Sequence, residues 1–232
     1  MDNNKDTREF PIKPLSARQF LDFFPLSMSE EEKEELAAEM DQNYADYQIV
    51  TKDEKRFREI LESAGREGTE EFLHYLKINN FFTAPGSVAH HSNWKGGLVN
   101  HSLKVYDCAM QIREEMIQED PSVASELKEE KIAVAALLHD ICKADEYKIK
   151  LDGKPAHKEA SAHLGGHGDK SVILILFHGF KLEGDEMLAI RWHMGAKHIK
   201  DPKDKAECEK AKAESALVRL IIRADHMAAT GK

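Results

Sequence analysis

The chain has 232 residues, a length that suits one sizeable domain with an appendage. Hydrophobic residues make up 41% and charged residues 32%, which excludes the apolar-poor composition of a disordered chain. The net charge of −9 argues against binding of long nucleic acid through bulk electrostatics, because that binding needs lysine and arginine to meet phosphates. Three cysteines imply no disulfide framework, and the absence of a long apolar run predicts a cytoplasmic protein that does not enter a membrane.

Residues 1–50 are predicted to form an N-terminal arm, distinct from a main domain over residues 51–232. The arm combines an extended, proline-punctuated segment with an acidic run. Ser29 followed by Glu32 fits a capping box that opens a helix. The phenylalanines of the arm predict that it packs on the main domain or on a second copy of the chain. In the second case the protein would be a homo-oligomer. These residues are Phe10, Phe20, Phe23 and Phe24.

Two short amphipathic helices are predicted next, over residues 52–61 and 69–77. The loop that follows carries His90 and His91, ten residues before the next histidine of interest. Their imidazoles either bond to loop backbone or, in the case of His91, contact a substrate. The residues alone leave both readings open.

The next predicted helix begins near Gly97 and has an imidazole on its apolar face. Apolar residues and one histidine recur there at steps of three and four, which is the spacing of a single buried stripe. The stripe consists of Leu98, His101, Val105, Cys108 and Ile112. His101 is therefore predicted to point into the core.

An apolar run over residues 132–138 ends in the adjacent pair His139 and Asp140. Its alanines favour a helix over a buried strand. An ionised Asp140 at the end of a buried helix would be costly without a partner, because a low dielectric disfavours an isolated charge. A divalent cation is the simplest partner. The alternative is an exposed helix end at which the two side chains bond to each other or to water.

A C-terminal helix around residues 217–229 repeats the pattern with a carboxylate. Asp225 shares one side of this helix with Val218, Ile221, Ile222 and Ala229, so it is predicted to point inward. Three helices then direct two imidazoles and two carboxylates into one core. This donor set suits a first-row divalent metal, and its members are His101, His139, Asp140 and Asp225.

The order of these four residues resembles the H…HD…D signature of the HD-domain superfamily of metal-dependent phosphohydrolases. Four further segments are similar to the branch related to the HD domain of bacterial 3′–5′ exoribonucleases, although Cys142 stands where glycine is usual. The segments are 96–103, 137–143, 166–171 and 190–195. The resemblance implies an all-α, HD-domain helical bundle with an N-terminal helical or extended arm. The helical periodicities agree, and no paired strands are expected.

The resemblance implies cleavage of a phosphomonoester or phosphodiester, of a nucleotide or another small phosphorylated substrate, by metal-activated hydroxide. Asp140 is the expected catalytic metal ligand. Lys143 follows it by three, so on a continuing helix it lies on the same side and could reach a phosphate held at the metal. The resemblance also places His91 at the mouth of the site, where it would contact the substrate.

In related proteins with additional histidines, the positions that match His167 and His193 bind a second metal, with the residue that matches Asp140 as the bridge. The two histidines could instead contact phosphate or water beside one ion. One or two divalent ions per chain are therefore expected, drawn from Mn, Fe, Ni, Zn or Mg. Two other functions stay open: an HD-fold di-iron oxygenase and a non-catalytic nucleotide-binding regulatory module.

Overall fold

The computed structural model describes Arg18, Leu21 and residues 28–90, 92–150, 152–159 and 165–231. The chain divides into two compact units, Met1–Ile49 and Val50–Lys232. The phenylalanines that were predicted to pack the arm lie outside the described residues.

Helices account for most of the structure. Across the described residues they are α1 (Glu30–Ser63), α2 (Thr69–Ile78), α3 (Gly97–Glu119), α4 (Glu129–Leu138), α5 (Lys143–Glu146), α6 (His167–Phe177), α7 (Gly184–Trp192), α8 (Pro202–Glu214) and α9 (Ala216–Thr230). The predicted all-α class is confirmed. None of the described helices combines the length and apolarity that a bilayer-spanning segment requires.

The expectation of no paired strands is wrong in one place. β1 (Tyr147–Ile149) pairs in antiparallel fashion with β2 (Pro155–His157). The amide of Lys150 donates to the carbonyl of Lys154 over 2.9 Å and closes the hairpin, and Gly153 supplies a positive φ of 76° in the turn. Strands of three residues are too short to show an alternating pattern in the sequence, so only the turn was predictable.

The helix α1 begins with the predicted capping box. The amide of Ser29 donates to Glu32 Oε2 over 2.7 Å, and the amide of Glu32 donates to Ser29 Oγ over 3.2 Å. The helix then continues for 34 residues without a glycine or proline, so the short helix predicted over 52–61 is its last part. The boundary between the two units lies within it. In the first unit, Leu21 and Ala37 are buried together.

The second unit is built around α4. Every side chain from residue 132 to residue 138 is buried, so this part of the helix has no face in contact with water, as its sequence predicts. The helices α3, α7 and α9 all pack against it, and α9 also packs against α3 and α7. These four helices carry or adjoin most of the predicted metal ligands.

Arg66 joins the α1–α2 connection to the start of α7. Its guanidinium lies 2.6 Å from Glu183 Oε1 and 2.5 Å from Glu186 Oε1, and the side chain of Glu186 is 0% exposed. Burial raises the pKa of Glu186, while Arg66 opposes that change. We expect Arg66→Met to lower the free energy of unfolding by about 3–5 kcal/mol at neutral pH, because it leaves a buried carboxylate without its cation. Urea denaturation measures this loss.

The matched control is Lys181→Ala. Lys181 pairs with Glu67 at 3.9 Å, and both side chains are exposed to solvent, so its loss should cost less than about 1 kcal/mol. The effect of Arg66→Met should shrink as the pH falls, because protonation of Glu186 removes the unpaired charge. Equal losses in the two variants would contradict the importance of the buried pair.

Candidate metal centre

The four residues predicted as metal ligands converge at one end of the bundle. His101 lies in α3, His139 and Asp140 directly follow α4, and Asp225 lies in α9. His101 Nε2 is 3.1 Å from Asp225 Oδ1, and His139 Nε2 is 3.2 Å from Asp140 Oδ2. The two crossed distances, His101 Nε2 to Asp140 Oδ2 and His139 Nε2 to Asp225 Oδ1, are both 3.8 Å. Two nitrogens and two oxygens therefore face a common point.

These separations are those of atoms that can share an ion. Nitrogen and oxygen ligands about 2.0–2.2 Å from a metal lie about 2.9–3.5 Å from each other at the usual coordination angles. The observed values of 3.1–3.8 Å are slightly wider, so small side-chain movements would bring the four atoms around one cation. The donor set fits a divalent first-row metal.

Backbone contacts fix how two of the histidines face the site. His139 Nδ1 donates to the carbonyl of Ala136 over 2.8 Å, and His193 Nδ1 donates to that of Ile190 over 2.7 Å. Each ring therefore turns Nε2 toward the site. Among the described residues, these two Nε2 atoms and Asp140 Oδ1 are buried without a hydrogen-bond partner. Buried polar atoms nearly always have a partner, and a bound cation would supply one here.

Asp140 presents its two oxygens to different neighbours. Oδ2 faces His101 and His139 and lies 2.5 Å from Lys143 Nζ, whereas Oδ1 lies 3.5 Å from His193 Nε2. A carboxylate held in this way has the geometry of a bridge between two positions. The structure thus brings His193, as well as His101 and His139 of the central set, to Asp140.

His167 has different neighbours. It is the first residue of α6, and its Nδ1 lies 3.5 Å from Glu146 Oε2 and 3.6 Å from Cys142 Sγ. Among the described residues it therefore groups with a thiol and a glutamate, not with His193 and Asp140. The sharing of one ion by His167 and His193 stays a prediction. Sequence reasoning missed Glu146 entirely, since nothing in its local pattern distinguishes it from a surface carboxylate.

The electrostatics keep the central donors in the protonation states that bind metal. Burial opposes ionisation of Asp140, but Lys143 and His139 hold the pKa of this carboxyl well below its usual range. Burial likewise opposes ionisation of Asp225, yet its hydrogen bond with His101 helps to lower its pKa to about 2. Burial lowers the pKa of His139, so its ring is neutral at pH 7. Two carboxylates and a neutral imidazole are ready to coordinate a cation.

Lys143 reaches Asp140 by a different route from the one predicted. The helix does not continue, because α4 ends at Leu138 and α5 begins at Lys143. The intervening turn is tight, and the amide of Lys143 donates to the carbonyl of Asp140 over 3.0 Å. This turn still places residues three apart on the same side, so the predicted proximity of the two side chains is present.

A cavity of about 840 Å³ opens onto the centre. Its wall includes Asp140 and Lys143 together with three further cations, Lys197, Lys212 and Arg223. The sequence did not single out these three, because exposed lysine and arginine are common on any surface. Lys212 pairs with Glu209, which also lines the cavity, and Arg223 pairs with Glu115, so carboxylates partly offset the charge of these cations. His91, predicted to contact the substrate, lies outside the described residues.

Gly168 permits the close approach of α6 and α7. A Cβ at this position would lie 2.1 Å from the carbonyl oxygen of Arg191, and the two helices carry His167 and precede His193. We expect Gly168→Ala to push the helices apart, lower the free energy of unfolding by about 1–3 kcal/mol and weaken metal binding. Thermal unfolding and elemental analysis measure both effects.

Gly166→Ala is the control for this substitution. A Cβ there would lie 3.9 Å from Asp169 Oδ2, an ordinary contact distance, and Gly166 has an ordinary φ of −75°. Its effect on stability should stay within about 0.5 kcal/mol. Equal tolerance of alanine at Gly168 would contradict the close helix contact.

No curated protein matches the chain, and no solved structure matches it. Comparison with protein families matches residues 98–230, more than half of the chain, to the HD domain. HD domains bind divalent metals and form a superfamily of metal-dependent phosphohydrolases. The matched segment contains the whole imidazole and carboxylate group described above. The chain therefore belongs to the HD-domain family.

Proposed function

We propose that this protein is a metal-dependent phosphohydrolase that cleaves a phosphomonoester or phosphodiester in a small substrate, a nucleotide in the first instance. One observation carries the proposal: buried imidazole and carboxylate donors with the spacing of metal ligands border a cavity whose wall also carries lysine side chains. The proposed ligands are His101, His139, Asp140 and Asp225.

A divalent cation in this position would lower the pKa of a water ligand and offset the negative charge of a phosphate. The residues of the chain then have separable roles. Asp140 and its histidine neighbours hold the ion, and His193 faces the second oxygen of Asp140. Lys143 places a fixed positive charge at the cavity wall, where it offsets charge on the non-bridging phosphate oxygens.

A cysteine nucleophile is poorly suited to this site. Cys142 is the cysteine nearest to Asp140 in sequence, but its side chain is buried and burial raises the pKa of its thiol. The reactive form of a cysteine is the thiolate, which this environment disfavours. Direct attack by activated water therefore remains the favoured chemistry.

The cavity supports a small, anionic substrate. Its volume of about 840 Å³ lies in the range of about 300–1,000 Å³ that is typical of small-molecule sites. Lys143 and Lys197 on the cavity wall would attract phosphate groups, whereas the net charge of −9 disfavours a long polyanion. The resemblance to the branch related to exoribonucleases adds short RNA to the candidate substrates.

The test begins with elemental analysis of the purified protein. Phosphate or nucleotide release should then be measured with nucleotides, cyclic dinucleotides and short RNAs, before and after removal of metal by a chelator. We expect metal-dependent hydrolysis of at least one small substrate. Efficient trimming of long RNA, with affinity that falls steeply as salt rises, would overturn the choice of a small substrate.

Two other outcomes would replace the proposed reaction. Bound iron with consumption of oxygen would identify an HD-fold oxygenase. Tight nucleotide binding without turnover by the metal-loaded protein would identify a regulatory module. Metal identity, oxygen uptake and product formation, measured on the same preparation, separate the three functions.

A further inference from the structure

Beside the central donors, three side chains from different elements meet in a second group. Cys142 lies in the turn after α4, Glu146 ends α5 and His167 begins α6. His167 Nδ1 is 3.6 Å from Cys142 Sγ and 3.5 Å from Glu146 Oε2. All three potential donor atoms lie within 4.8 Å of one another. The thiol is buried, while the imidazole is 42% exposed and also lines the large cavity.

The two separations from the imidazole are close to those of ligands around a tetrahedral ion, and the third, from sulfur to carboxylate, is within 4.8 Å. Zn–S bonds of about 2.3 Å and Zn–N or Zn–O bonds of about 2.0–2.1 Å place sulfur about 3.5–3.6 Å from nitrogen, and nitrogen about 3.3–3.4 Å from oxygen. The observed 3.6 and 3.5 Å agree closely with these values. A single ring nitrogen also faces both the thiol and the carboxylate, as in a shared coordination shell.

Neighbouring residues hold Glu146 in this orientation. Its Oε1 lies 3.3 Å from Lys170 Nζ, so its other oxygen, Oε2, is the one that faces His167. Lys170 is 2% exposed and also lies 2.6 Å from Asp145 Oδ2. A ligating carboxylate is commonly fixed in this way through the oxygen that does not bind the ion. The amide of Cys142 donates to Ser171 Oγ over 3.3 Å and fixes the backbone of the turn.

We propose that Cys142, Glu146 and His167 bind a second divalent cation, in a position distinct from the central imidazole and carboxylate group. Three protein ligands leave a fourth position open, and His167 places that position beside the cavity. The thiolate ligand favours Zn²⁺ over Mg²⁺. Burial disfavours a free thiolate at Cys142, so the bound cation itself would stabilise the thiolate while the thiol proton passes to solvent. This second cation site is proposed independently of the reaction described above.

Cobalt provides a readout that needs no activity. The protein should be stripped with a chelator and titrated with Co²⁺, while near-ultraviolet absorption reports a bond between cobalt and thiolate. We expect two equivalents of Co²⁺ to bind, with a thiolate band from one of them. Cys142→Ser should lose the band and one equivalent. Cys108→Ser, which changes a cysteine outside both groups, should retain both.

Two further variants keep the test decisive. Glu146→Gln preserves the size of the side chain, and should weaken binding of the band-forming Co²⁺ by about tenfold or more, with an unchanged circular dichroism spectrum. Asp140→Asn should remove the other equivalent and leave the band. Absence of a thiolate band in the wild type, or its persistence in Cys142→Ser, would overturn the proposal. Loss of the second equivalent in His193→Ala, with Cys142→Ser unaffected, would also overturn it and assign the second ion to Asp140.

Discussion

Replacing Asp140 with alanine is expected to remove the central cation and to reduce phosphate release to background. The reason is the position of both its oxygens, one facing His101 and His139 and the other facing His193. Among the described carboxylates, Asp225 contacts two of these imidazoles, His101 and His139, whereas Asp140 contacts all three. Elemental analysis and a phosphate-release assay on the same preparation measure the two losses.

A stability measurement adds an independent check on Asp140→Ala. A cation that binds only the folded state at about 100 times its dissociation constant stabilises that state by about 2.7 kcal/mol. A chelator should therefore lower the melting temperature of the wild type and have a much smaller effect on the variant. Asp107→Asn, at a half-exposed carboxylate paired with Arg56, should retain the wild-type response. Full metal occupancy in Asp140→Ala would refute the assignment of the ligand.

Lys143→Met is expected to lower turnover by about 10²–10³-fold while the metal content is retained. Lys143 Nζ lies 2.5 Å from Asp140 Oδ2, and its side chain is 15% exposed at the cavity. Its removal takes away a positive charge from the place where phosphate would bind but leaves the four donor residues intact. We expect the metal to bind at least as tightly as in the wild type, because the ammonium group of Lys143 competes for Asp140 Oδ2. Steady-state kinetics with parallel elemental analysis separate these effects.

Lys148→Met is the control for this prediction. Lys148 is an exposed residue of β1 outside the large cavity, so its substitution should change neither turnover nor metal content. An unchanged turnover number in Lys143→Met would exclude the proposed role in catalysis. A loss of activity explained by a loss of metal would instead make Lys143 a residue that supports the centre.

Helical periodicity was sufficient to predict that the side chains of the central group face the core, because the face on which a residue lies depends only on the local sequence. His101 and Asp225 each lie in an apolar stripe, and a helix places such a stripe on one face whatever the rest of the chain does. The apolar run before His139 likewise predicted that this residue would enter the core. The same reasoning predicted the contact between Lys143 and Asp140, even though the chain makes that contact through a turn.

The neighbours of His167 could not be predicted from helical periodicity. Glu146 and Cys142 reach this imidazole because the turn after α4 brings α5 against the start of α6, and this packing joins residues more than 20 positions apart. Residue spacing carries no information about such a contact. The length of α1 was missed: a separate short helix was predicted over residues 52–61, although the absence of glycine and proline over residues 30–63 is compatible with one continuous helix.

The burial of residues 132–138 in α4 has a consequence for how firmly two ligands of a bound ion are held. Amide hydrogens in a helix without a solvent-exposed face exchange with water only when the surrounding unit opens. His139 and Asp140 directly follow this helix, so they are attached to one of the last segments to open. Escape of the central ion by local fraying is therefore disfavoured. Exchange of the ion would instead take place through the cavity, while its ligands stay in the folded arrangement.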